Sequence, residues 1–416
     1  MKENILTNSK YTTILSILVL SLFIQIRFEV FTFIVRPFDL FTVFIFFYTF
    51  SIQKEITRQK LSSGFFYLLP FFFIHFISAL VAGNQNFIKE FLQVIVFIAF
   101  AYILSVFISK INYKKIITNL LQGSICIMIF SVLWHLSNGY LVGWKQLPDT
   151  RIIFTIVSIL MFAYLNIYEK KIKNLLFIFI IFFVLILLSG ERKALVIFTF
   201  LLIMHYSDGN FFKILIFSSL GYLILYLLGD YLDNSYLKSR INTLTNLFGT
   251  GKFQFFLDTG QLSSKDTYSN IQRVFSFTIS KKFFLENPLL GIGTNNFINV
   301  LKDQFYYLPK VFLAGIHNEF QRVLVENGII GLFCYLFIWF KSWTRTKQIT
   351  FMAQKHKLIN SINYKFCTYS LYITCIIYVG TEASSLRSFI ILIFISLLPD
   401  YLKYHLSINA KNTKLN

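Results

Sequence analysis

Long apolar runs recur along the whole chain, and they decide what it can fold into. They fall at residues 11–26, 37–52, 64–81, 88–108, 116–136, 152–168, 174–189, 192–206, 212–229, 319–340, 364–380 and 386–402. Most are long enough, or nearly so, to cross roughly 30 Å of hydrocarbon as a helix. A soluble domain of 416 residues needs far more polar surface than a chain with 56% hydrophobic and 14% charged residues supplies. The runs occupy both halves, so the chain is not a globular domain on an anchor. Lipid offers no partner to bare backbone groups and no stretch shows barrel alternation, so every crossing is expected to be helical. The expectation is an all-α polytopic membrane protein of about twelve transmembrane helices. It divides into 1–229, holding spans one to nine; 230–316, a large and partly helical outer loop; and 317–416, holding spans ten to twelve and a tail.

The formal net charge of +20 invites a nucleic-acid reading, but the cations are in the wrong places for one. They collect in alternate gaps between apolar runs: Lys54, Arg58 and Lys60; Lys110, Lys114 and Lys115; Lys170, Lys171 and Lys173; Lys341, Arg345 and Lys347; Lys403, Lys411 and Lys414. Only the gap near Asp208 is poor in them. This is the pattern of cytoplasmic loops, not of a basic groove, and no stripe of Lys and Arg with interleaved aromatics marks the long polar segment. Both termini are therefore expected in the cytoplasm. The segment from about Asp230 to Gly315 is expected outside, in the periplasm if the membrane is a Gram-negative inner membrane. No small-residue cleavage site follows the first run, which reads as a retained helix. No internal repeat and no matched pair of broken spans points to a secondary transporter.

The four cysteines, Cys126, Cys334, Cys367 and Cys375, all lie in expected spans, with no CxxC pair. Neither a disulfide framework nor a zinc site is indicated. His75 sits mid-span among phenylalanines, and His135, His205, His356 and His405 lie at membrane ends or in the tail. No histidine pair has metal-ligand spacing, so no metal and no cofactor is expected. Pro37 followed by Asp39 reads as a helix start. In the outer loop, Ser269 through Phe284 reads as an amphipathic helix that Asn287-Pro288 ends, with a turn at Gly291 and Gly293.

Three places break the apolar pattern on the expected outer side. The first is Ser189-Gly190-Glu191-Arg192-Lys193, a tight turn. The eighth run is short, so its helix must take in Arg192 and Lys193 near its outer end. Cations there either face a bundle interior and act on something, or snorkel to the interface. The second is Arg273 on the loop helix, a binding cation or part of a solvated face. The third is His317-Asn318-Glu319, where the loop re-enters the membrane. His317 is either a functional group at the mouth of the tenth span or an interfacial polar residue, and Gly328 and Gly331 beyond it permit close helix packing. Glu382 and Arg387, in the gap before the last span, either line the same outer cavity or pair with each other.

These residues carry a family resemblance. His317-Asn318, nine residues, then Gly328-Ile329-Ile330-Gly331 matches the pattern H-[NSQ]-x9-G-x-x-G. The run from Arg273 to Glu286-Asn287-Pro288-Leu289-Leu290-Gly291-Ile292-Gly293-Thr294-Asn295-Asn296-Phe297 resembles an "R…NPLxGxGxxxF" block. Ser189-Gly190-Glu191-Arg192 resembles an "SGSR" turn, with Glu191 where the pattern often has serine, so that an acid neighbours the cation. Together they resemble the bacterial O-antigen ligase and polymerase superfamily, over residues 185–335. The first five spans resemble it in hydropathy alone.

The resemblance implies a glycosyltransferase that moves a glycan from an undecaprenyl-diphosphate donor in the membrane to a periplasmic acceptor, in lipopolysaccharide or surface-polysaccharide synthesis. The leaving diphosphate calls for guanidinium groups, which bind phosphate bidentately and stay charged; Arg192 and Arg273 are the candidates. The acceptor hydroxyl calls for a base near neutral pH; His317 is the candidate. Asn318, Lys193, Glu191 and Arg387 are candidates for supporting roles. A ligase delivers the glycan to lipid A–core, and a polymerase to another undecaprenyl-linked unit; the complete histidine motif leans towards ligase. A flippase for lipid-linked oligosaccharides, the reading from another class, places its cations mid-bilayer and does not need the long loop. The loop aromatics Phe253, Phe255, Phe256, Tyr268, Tyr306 and Tyr307 either stack on sugar rings or form the loop's own core, which is the favoured reading.

Overall fold

The computed structural model describes residues 2–21, 28–30, 33–56, 61–83, 87–107, 113–137, 197–201, 203, 213, 265–306, 315–355, 371–376 and 385–413. Its elements, in chain order, are α1 (Lys2–Ser21), a hairpin of β1 (Phe28–Val30) and β2 (Phe33–Val35), α2 (Pro37–Ile56), α3 (Ser63–Val81), α4 (Phe87–Phe107), α5 (Tyr113–Ser137), α6 (Lys265–Glu286), α7 (Phe297–Gln304), α8 (Glu319–Lys355) and α9 (Ser385–Thr413). The spans expected at 152–168 and 174–189 lie outside the described residues. Those at 192–206, 212–229 and 364–380 lie mostly outside them.

Among the described residues every regular element is a helix apart from one hairpin, which qualifies the all-α expectation. Phe28 pairs with Val35, Glu29 with Ile34 and Val30 with Phe33, antiparallel. Aromatic and β-branched residues favour the pleated state there, and Pro37 begins the next helix. The hairpin occupies the gap expected between the first two spans and does not replace a crossing. At the start of α2 the Asp39 carboxylate accepts the Arg36 backbone N–H at 2.9 Å, so the proline and the acid mark the helix start as expected.

Three described helices are long and apolar enough to cross a membrane: Ser63–Val81, Phe87–Phe107 and Glu319–Ala353. These helices and their neighbours expose large apolar side chains, Phe333 at 69% on α8 and Phe44 at 73% on α2 among them. Side chains of this kind on the outer faces of a helix bundle suit hydrocarbon.

The middle of the bundle is α3, α8 and α9, each packed on the other two; α4 lies on α3 and α2, and α1 on α2 and α5. Close approach comes from small residues. Ser396 Oγ donates to the Gly64 carbonyl at 2.5 Å, where any side chain on Gly64 would meet α9 backbone. The core is aromatic: Phe71, Phe72 and Phe97 all place their rings edge-on or tilted against Phe389 or each other. One end of this trio is tied by side chains. Arg345 pairs with Asp400 at 2.7 Å, and the Asp400 carboxylate accepts the Ser62 hydroxyl and, at 3.3 Å, the Gly64 N–H at the first turn of α3.

Candidate active site where the long loop re-enters the bundle

Two glycine motifs far apart in sequence are one structural unit. α8 is broken at Gly328, whose φ of 66° and ψ of −170° are not helical and belong to glycine alone. In an unbroken helix, Val325 and Glu326 carbonyls would accept from Ile329 and Ile330. Instead the loop after α6 takes all four groups. Ile292 N–H donates to Val325 O at 3.0 Å and Gly293 N–H to Glu326 O at 3.1 Å. Ile329 N–H donates to Pro288 O at 2.8 Å and Ile330 N–H to Leu289 O at 3.4 Å. The four groups of these two interrupted bonds are thus paired, which suits burial in a membrane. Gly291, at φ 72°, lets the loop lie this close: a Cβ there would sit 2.5 Å from the Val325 carbonyl oxygen.

The loop is also seated on the first half of the chain. Ser78 Oγ, on α3, shares its proton between Leu290 O at 2.7 Å and Glu326 O at 2.5 Å. Thr294 Oγ1 donates to the His75 carbonyl at 2.8 Å and accepts from Asn327 Nδ2 at 2.8 Å. Asn295, at φ 51°, donates from Nδ2 to the Glu90 carboxylate on α4 at 2.6 Å. The His75 ring, 1% exposed, lies between Phe71 and Phe389 with centroids at 5.9 and 4.8 Å. The C-terminal end of α3, the N-terminal end of α4, the N-terminal end of α8 and the loop therefore meet at one end of the bundle. These are the ends that the charge pattern assigns to a common side.

Below the loop lies a small core of its own: Ile279 and Phe283 from α6, Ile292, Phe297 and Leu301 on and before α7, and Ile316 and Val325. Phe275 and Phe305 pack against it, rings 6.0 Å apart. None of the aromatics expected in a loop core is among these residues. Tyr306 is 82% exposed rather than part of it; Phe253, Phe255, Phe256 and Tyr307 lie outside the described residues, as does the Tyr268 side chain. The helix expected at 269–284 is α6, and Asn287-Pro288 ends it.

His317 sits on a bend right after the buried Ile316 and is itself exposed. Asn318 caps α8: its Oδ1 accepts the Gln321 N–H at 3.2 Å and its carbonyl the Arg322 N–H at 2.9 Å. Gln321 Nε2 reaches the Ser276 carbonyl of α6 at 3.4 Å. Arg273 falls on α6, one turn before Ser276 and so towards this same mouth; its side chain is outside what the structure describes. Arg387 falls in the first turn of α9, again with its side chain outside the described residues. Glu191, Arg192 and Lys193 lie wholly outside them. The structure thus gathers the helix of Arg273 and the His317–Asn318 turn, and leaves the Arg192 turn as a sequence expectation.

The sequence reading passed over a buried charge cluster one turn below His317. Arg322, 5% exposed, donates from Nε and Nη2 to both Glu319 oxygens at 2.8 and 2.5 Å, and from Nη1 to Glu326 at 2.7 Å. The signal was present: positions i, i+3 and i+7 of a helix carry Glu, Arg and Glu on one face of an otherwise apolar run. Ser78, Glu90, Thr294, Asn295 and Asn327 had no such signal, because what they hold lies on other elements.

A family model described as O-antigen ligase matches residues 149–336 of the chain. No curated protein matches it.

Proposed function

We propose, from a chain whose residues 149–336 belong to the O-antigen ligase family, that it moves a glycan from an undecaprenyl-diphosphate donor to a hydroxyl of a periplasmic acceptor. The family supports ligase- or polymerase-type glycosyltransferase function in polysaccharide biosynthesis, acting on lipid-linked glycans. The apolar helices and the family together make it a membrane protein. The finer reading rests on one observation: the interlock of the 288–293 loop with the Gly328 break, which holds the His317 turn and the helix of Arg273 at one end of the bundle.

In the reaction, the acceptor hydroxyl oxygen attacks the anomeric carbon from the face opposite the diphosphate, so the configuration inverts. The bond between that carbon and the diphosphate oxygen breaks, and the electron pair leaves with the diphosphate. His317 takes the hydroxyl proton; an exposed imidazole at the mouth is open to an acceptor from outside. Arg192 and Arg273 bind the departing charge with planar forks that remain protonated. Lys193 and Arg387 add positive charge, Glu191 orients the Arg192 turn, and Asn318 fixes the bend that carries the base by capping α8. The chemistry as drawn uses no metal and no cofactor. The end of the bundle that holds the loop faces the periplasm, and both termini lie in the cytoplasm of a bacterial inner membrane.

The test is transfer by the purified full chain, given lipid-linked glycan extracted from a strain lacking this gene together with lipid A–core. His317→Ala is expected to cut turnover by about 100- to 10,000-fold, the usual worth of a general base. Arg192→Lys and Arg273→Lys each keep the charge but lose the fork, and each is expected to be severely impaired. Full activity of His317→Ala removes the base, and normal turnover in both lysine variants removes the clamp. The deletion phenotype separates the acceptors: unligated polymer left on undecaprenol indicates a ligase, and single units still reaching the core indicate a polymerase.

A further inference from the structure

Glu319, Arg322 and Glu326 are closed inside the bundle, at 0%, 5% and 3% exposure, and no step above uses them. Charges at such depth are costly, and a buried ion triad is poor evidence of stability, since apolar residues of similar volume often do as well or better. What this triad provides is direction. Glu319 is the first residue of α8, Glu326 lies two residues before the Gly328 break, and Arg322 reaches both. Its fork takes both oxygens of Glu319 and its remaining nitrogen takes Glu326, so a single planar group spans the whole segment from cap to break.

That segment is a distinct rigid piece. At its lower end, helical bonding stops at Gly328 and the loop takes over. At its upper end, Asn318 caps it through the Gln321 N–H, and His317 is the next residue out. His317 is joined through the Asn318 cap directly to this segment, and on its other side to Ile316, which is buried in the loop core, so the orientation of 319–327 against that core bears on where the imidazole points.

We infer that Arg322 is a positioning residue for glycosyl transfer: by holding Glu319 and Glu326 in one fork it fixes the 319–327 segment and aims the His317 turn at the acceptor. This rests on the reading of His317 as the base.

The experiment compares four full-length variants with the native chain: Arg322→Lys, Glu326→Gln, the triple change Glu319→Leu/Arg322→Met/Glu326→Leu, and His317→Ala. Three quantities are measured on each: melting temperature in detergent, affinity for undecaprenyl diphosphate as the probe, and turnover per folded molecule with the extracted lipid-linked glycan. Arg322→Lys is expected to lose about 100-fold in turnover, the scale of a 1 Å misplacement, with probe affinity within about threefold of native. Glu326→Gln keeps the Glu319 fork and is expected to lose about tenfold. The triple variant is the discriminating one: it is expected to melt at or above the native temperature and still turn over as poorly as Arg322→Lys. A stable triple variant with native turnover overturns the proposal, as does Arg322→Lys turning over within threefold of native. Failure of Arg322→Lys and the triple variant to fold assigns the triad to stability and also overturns it. An inactive His317→Ala beside any of these leaves the reaction reading standing. A fully active His317→Ala sinks that reading, and the positioning claim with it.

Discussion

The two ends of the central helix trio are held by different means. At one end, Arg345, Asp400 and Ser62 tie α8, α9 and α3 through side chains, and the carboxylate sits on the opening turn of α3. At the other, the joint between α8 and the loop is made by backbone groups, with Ser78, Thr294 and Asn295 bracing it. A side-chain tie tolerates exchange, because a neighbouring polar residue or water can take a vacated place near a helix end. A backbone tie depends on glycine at set torsions and on a set distance between chains. The end that is harder to alter is the end where the base is proposed to stand. Rigid, satisfied backbone is what a site requires if its groups are to be held within a fraction of an ångström.

Substitutions at each end test whether that contrast is real. The largest effect is expected from Gly328→Ala, where a Cβ would run into the Leu289 carbonyl at torsions that only glycine adopts freely. The cost is expected to be about 3 kcal/mol or more, with transfer lost along with the fold; denaturant unfolding in detergent measures it, and native stability would mean the break is not obligatory. Asp400→Asn comes next. It removes a charge-assisted tie on partly buried groups, and about 2 kcal/mol of stability is expected to go, with turnover per folded molecule unchanged. A fall in turnover there would dissolve the distinction between a chemical end and a structural one. The smallest effect is expected from Asn318→Ala, which deletes a cap worth about 1 kcal/mol. Its signature is a turnover loss larger than the stability loss, because the frayed turn is the one that carries His317. Equal losses would make Asn318 a cap and nothing more.

Much of the frame was legible in the sequence, and the reasons are local. Pro37 and Asp39 announced the start of α2, Asn287-Pro288 the end of α6, and Gly291 and Gly293 the turn that their φ values of 72° and 95° bear out. Apolar length gave the crossing helices α3, α4 and α8. What was missed depends on partners distant in the chain. Gly328 read as a small residue for close packing; it is a break, and a break is affordable only because Pro288 and Leu289 arrive to take the freed donors. Glu319, Arg322 and Glu326 were visible as a spaced trio at the edge of a span, yet their burial depends on elements from elsewhere in the chain that pack against α8. The hairpin at Phe28–Val35 was read as a bare gap, because an eight-residue aromatic stretch between two runs carries no length signal. α8 runs past the expected end at 340 to Lys355, where Arg345 meets Asp400 and a helix no longer needs hydrocarbon to persist.

The break in α8 also bears on the order of assembly. Residues 288–293 leave the ribosome before residue 328 does, so the seat can exist before the segment that occupies it. Inserted without that seat, α8 would carry two bare amide donors into lipid, at several kcal/mol each. The loop therefore behaves as a template that admits the later helix in its broken form. A chain severed between residues 306 and 315 and expressed as two pieces should still join, whereas one lacking 288–293 should not.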